Sequence, residues 1–297
     1  MPELFPTMRI CIAALCDIAY AMAAGALLNR LWLGRSSVCN HRLQICLSAC
    51  STLLLLVLPL QLFLLAASMT GDSSWADAWH AVPDVVTTHA ARALIGSFCF
   101  VPCLLLFACF SASLTQIRVV SLGMGLLAGF IACRACYGHA ASDGNFTLRE
   151  GIQFLHLSSI AIWGGGIVVA GLITIPYLVS EDKSDELALF GKNLSRAVTV
   201  ALAVVILSGI YNTSKGLGGS LSELPHSDWG KMLLLKLCFV LLALGHGVRV
   251  RFLLRSHSPW TQSQTRIMRQ WVRAEALLML ATLFCSAWLS NLPPADL

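Results

Sequence analysis

Three histidines stand beside apolar stretches of the chain, where an imidazole would still be open to water. Thr88-His89 precedes the third such stretch, Gly138-His139 lies just past the fourth, and His156 follows the start of the fifth. Neutral imidazole binds copper, zinc, iron and nickel, so three converging rings would make a metal site. No His-x-His or His-x3-His pair fixes that geometry, and taken singly each ring is a polar residue in a wet interface. Cys133-x-x-Cys136 ends three residues before His139, and thiolates suit Cu(I). The motif is weak in isolation. Most of the twelve cysteines fall inside apolar stretches, where Cys acts as a small hydrophobe, and no disulfide framework is expected.

Asp17, Lys236 and Glu275 are ionisable residues inside apolar stretches, which makes each a functional candidate or half of an interhelical ion pair. The ion pair is the expectation for Glu275; a proton or cation step stays open for Asp17. Trp163 lies seven residues after His156 and so shares its helical face. Gly164, Gly165 and Gly166 follow it, and consecutive glycines point to close helix packing. Walker A, nucleophile-elbow and HExxH patterns are absent from the sequence, so nucleotide-driven pumping and familiar hydrolytic chemistry have no support and no enzyme activity is expected.

The elements that must position these residues follow from composition. The 297 residues are 57% apolar and 12% charged, about half the charge of an ordinary soluble domain, with a mean hydropathy of +0.75. Disorder and a soluble globular fold are excluded for the bulk of the chain. Apolar stretches at about 10–33, 43–69, 93–114, 119–137, 151–179, 196–211, 232–254 and 272–292 are long enough for membrane helices, which need about 20 residues each. The expected fold is therefore all-α, a polytopic bundle of eight transmembrane helices forming one domain over 1–297. Met1 to Met8 lacks the positive start of a signal peptide, and the apolar stretch that follows, which contains Asp17, reads as a retained first helix.

Cytoplasmic loops carry the excess of Lys and Arg. Thirteen of the twenty fall in or beside the loops after helices one, three, five and seven, which puts both termini on the periplasmic side. His89, His139 and His156 then map to the outer face, with His156 about 9 Å inside a helix that begins near Glu150. Trp75, Trp79 and His80 occupy an outer loop and read as an interfacial segment. The net charge of +5 is too small and too scattered to suggest nucleic acid as a partner.

An ordered set of motifs adds to this. Gly138-His139-Ala140, Phe154-Leu155-His156-Leu157 and Ile162-Trp163-Gly164-Gly165 come first. Phe190, Leu194-Ser195-Arg196, Ser208-Gly209-Ile210-Tyr211-Asn212, Gly230-Lys231 and Leu233-Leu234-Leu235-Lys236 follow, then Arg273, Glu275 and Pro293. In order and spacing the chain resembles the CopD/PcoD copper-resistance family of bacterial inner-membrane proteins. The likeness covers most of 80–295 and is strongest over 138–295. Thr88-His89 resembles the family's Thr-His, with Ala90-Ala91 in place of an aromatic-glycine pair.

The resemblance implies eight helices and copper transport across the inner membrane, in the direction of import. It implies a periplasmic-face copper site at His89, His139 and His156, taking Cu(I) or Cu(II), and a periplasmic CopC-type copper-binding partner. Two alternatives stay open. One is a b-type haem oxidoreductase pairing His156 with His246; the other is a copper-binding sensor or assembly subunit that does not transport.

Overall fold

In the computed structural model, residues 4–33, 37–71, 74–110, 117–138, 144–217, 224–256 and 262–293 are described, and among them every regular element is helical. The helices are α1 (Leu4–Leu33), α2 (Ser37–Met69), α3 (Trp75–Val85), α4 (His89–Phe110), α5 (Ile117–Ala135), α6 (Leu148–Ser180), α7 (Ser184–Gly216), α8 (Asp228–Ser256) and α9 (Gln262–Leu289). Seven are long and apolar enough to cross a membrane. The apolar part of α5, Val120–Ala135, is shorter. These eight helices coincide with the eight apolar stretches, and α3 is the added element. The start of α4, the end of α5 and the start of α6 meet at one end of the bundle through His89, Cys136 and Glu150, and Asn212 near the end of α7 donates to Gln153 of α6 beside them.

α1 is the central post. Its side chains Ala19, Ala21, Ala23, Ala24 and Ala26 are small and buried, and neighbouring helices come close on several sides. A methyl group added at Gly165 of α6 would overlap the Ala21 carbonyl, and one at Gly25 would overlap the Gly165 carbonyl. The glycine triplet is therefore a packing device, as expected, because only glycine permits this backbone approach. The core around Tyr20, Leu27, Leu54, Leu127, Phe130 and Leu157 joins α1, α2, α5 and α6. Leu56, Leu106, Val200, Leu207, Leu241 and Phe252 point outward and are more than half exposed, an apolar exterior suited to lipid.

Two turns of α6, Ala161–Gly165 and Ala170–Thr174, are π-helical. Pro176 explains the second: it has no N–H and its ring crowds the carbonyl one turn earlier, so the preceding turn widens. Asn29 pins this stretch to α1. Its amide donates to the Gly25 and Gly166 carbonyls at 2.8 and 3.2 Å, and its oxygen accepts from the Thr174 hydroxyl at 2.9 Å. α3 begins at Ser74, whose hydroxyl accepts from the Asp77 N–H. Phe5 and Phe63 pack on Trp75 while Trp79 stays exposed, which suits an interfacial helix.

Candidate functional site

The start of α4 is fixed by Thr88, whose hydroxyl accepts from the Ala91 N–H at 3.2 Å, and this cap sets His89 at the first helical position. The start of α6 is fixed by Thr147-x-x-Glu150. The Thr147 hydroxyl accepts from the Glu150 N–H, and Glu150 Oε2 accepts from the Thr147 N–H at 3.2 Å. The other carboxylate oxygen, Oε1, lies 2.9 Å from His89 Nε2. Cys136 sits one residue past α5, held by its N–H to the Cys133 carbonyl. Ligand atoms of His89, Cys136 and Glu150 all lie within 4.8 Å of one another. Glu150 is buried, His89 and Cys136 half-buried, and the Phe146 ring meets the His89 ring edge-on from a left-handed backbone turn.

The trio offers one imidazole nitrogen, one sulfur and one carboxylate oxygen. Burial, then the Glu150 carboxylate, pushes the Cys136 thiol up to about 11, so without metal it is protonated at neutral pH. Metal binding would release that proton. Imidazole and thiolate together suit copper or zinc, and the carboxylate adds negative charge to a cation's surroundings.

Of the three histidines expected to converge, His89 is in this trio. His139 lies outside the described residues, three positions beyond Cys136. His156 is elsewhere: it is buried on α6 with Nδ1 2.9 Å from the Ser208 hydroxyl of α7. Of the Cys-x-x-Cys pair, Cys136 joins the trio, whereas Cys133 lies against Gly96 of α4. Glu150 had served in the sequence only as a helix start. The Thr147-x-x-Glu150 spacing marks it as a cap; its second role depends on α4 being alongside.

A cavity of about 550 Å³ opens behind this end of the bundle, between α1, α5, α6, α7, α8 and α9. His156, Asp17, Arg134, Gln153, Asn212 and Lys236 are among its polar groups, and Trp163 is in its wall. Asp17 is not free: its carboxylate accepts from Arg134 Nε at 3.2 Å, and Arg134 also donates to the Tyr137 carbonyl. Glu275 departs from expectation in the other direction. It is buried against Gly247, makes no ion pair among the described residues, and Arg251 bonds to Ser195 and Thr199 instead. His246 packs on Trp271 and bonds within its own helix. It lies about 27 Å along α8 and His156 about 12 Å along α6, each from the same end of the bundle, so the two do not face each other across a haem.

Two family models match the chain. "Copper resistance protein D-like, N-terminal domain" matches residues 1–148 and "Copper resistance protein D" matches residues 188–289. Copper resistance protein D of Pseudomonas syringae pv. tomato is 28% identical over 267 residues, 84% of this chain and 83% of that protein. Copper transport protein CutJ of Bacillus subtilis (strain 168) is 30% identical over 160 residues, 53% of this chain and 29% of that longer protein. No solved structure matches the chain.

Proposed function

The chain belongs to the copper resistance protein D family and is a multi-pass inner-membrane protein, and from that premise we propose that it accepts copper where α4, α5 and α6 meet and passes it inward. The observation that carries this reading is the convergence of His89, Cys136 and Glu150 within 4.8 Å. His139 supplies a further ligand from the segment that follows Cys136. His156, about 12 Å along α6 in the cavity wall, is the next station.

Eight helices cross the membrane, with α5 among them, and both termini are periplasmic, as the Lys and Arg distribution directs. The trio then faces the periplasm, where a CopC-type protein would deliver the ion, and the direction is import. Copper is cargo here, and its oxidation state at the trio is set by the donor: the thiolate favours Cu(I), the carboxylate and imidazole also serve Cu(II). No nucleotide-binding motif is present, so movement is passive or coupled to another ion.

The test is radioactive copper uptake by the reconstituted chain in vesicles. Uptake well above empty vesicles is expected, with loss of most of it in His156→Ala and in Glu150→Gln. Copper binding without copper uptake by the wild type would overturn transport and leave a sensor or assembly subunit.

A further inference from the structure

Lys236 lies inside α8, about 12 Å from its start, and lines the cavity beside His156 and Thr282. Among the described residues it has no hydrogen bond and no ion pair. Asp17 acts on it electrostatically, but that carboxylate is bonded to Arg134. Arg134 lines the same cavity and holds that carboxylate, which leaves Lys236 without a bonded counter-charge among the described residues. A lysine ammonium inside a membrane bundle is costly when unpaired, and an anion brought to it stabilises the charged form. None of His89, Cys136 and Glu150 lines this cavity, so a group held on Lys236 leaves the trio free.

The walls say what kind of anion fits. α6 packs on both α7 and α9, and α8 packs on α9, while α7 and α8 touch little, so a gap is left between α7 and α8. Leu202, Val205 and Ile206 of α7 face Leu237 and Val240 of α8 across the cavity, and Ile206 and Leu237 are half exposed. The gap is apolar and lies between two membrane-spanning helices, open to the bilayer. At about 550 Å³ the cavity matches the usual size of small-molecule sites.

We propose that this cavity binds a membrane-borne amphiphilic anion, with its carboxylate or phosphate headgroup on Lys236 and its apolar tail between α7 and α8. The inference is independent of copper binding at the trio.

The probe is a fluorescent fatty acid, cis-parinaric acid, titrated into the full chain in an uncharged detergent. Saturable binding is expected, weakened about tenfold or more by Lys236→Gln and largely retained by Lys236→Arg. The exposed control Lys231→Gln should bind like the wild type. Displacement by phosphatidylglycerol identifies a lipid phosphate as the natural headgroup, and displacement by oleate alone identifies a free carboxylate. Equal binding by Lys236→Gln, or displacement by inorganic phosphate or phosphatidylcholine as readily as by the anionic amphiphiles, overturns the proposal. If Lys236→Gln does not fold, Leu202→Trp fills the gap with the charge intact, and unchanged binding by that variant overturns it equally. Copper binding should be the same in all these variants.

Discussion

The Glu150 carboxylate serves two partners at once, and two substitutions separate them. Thr147→Ala removes the cap of α6 and should cost about 1 kcal/mol of stability, read by thermal unfolding in detergent. Glu150→Gln keeps an oxygen that accepts from the Thr147 N–H, so unfolding should change little while the negative charge beside His89 is lost. Asp17 makes a sharper case. Asp17→Asn leaves the Arg134 guanidinium buried without its counter-charge, and a loss of about 3–5 kcal/mol is expected. Replacing both residues by well-packed apolar ones should recover part of that loss in a double-mutant cycle. The ionisable residues were visible in the sequence as anomalies, but their partners were not. Asp17 and Arg134 are 117 positions apart, and nothing in the local pattern of either names the other. His89 and Cys136 were legible as ligand types for the same reason of composition. Glu150 was hidden because the sequence marked it only as the start of a helix, and its neighbour His89 is 61 positions away.

At the scale of elements, hydropathy located the seven helices of membrane-crossing length and the shorter α5, because an apolar helix is a statement about composition over about 20 residues. It did not show the two π turns of α6, since hydrogen-bond register leaves no trace in an apolar run. Pro176 was the available sign of the second. Nor did it show that α1, near-uniformly apolar, would be the buried post against which the glycine triplet closes. Gly165→Ala should therefore be costly in a way that an ordinary helix-interior Gly→Ala is not. The added methyl meets the Ala21 carbonyl, so α1 and α6 must separate, and a loss of about 1–3 kcal/mol is expected by thermal unfolding. Gly151 has open space around the same position, and Gly151→Ala should be neutral or slightly stabilising.

At the scale of the molecule, alternating helices bring the ends of α4, α5 and α6 together, and the same alternation sets the mouth of the cavity beside them. Sequence reading reached this face through the Lys and Arg distribution, and placed its histidines there. It could not apportion them, because whether His156 joins His89 or faces a separate cavity depends on which side of α6 meets α7. The direct test of the account is equilibrium copper binding by the purified full chain, comparing wild type with His89→Ala and Glu150→Gln at matched thermal stability. The account predicts about one copper at the His89, Cys136 and Glu150 trio of the wild type and a loss of affinity of about tenfold or more in each variant. Equal copper content and affinity in all three proteins would contradict it and remove His89, Cys136 and Glu150 as the place where copper is received.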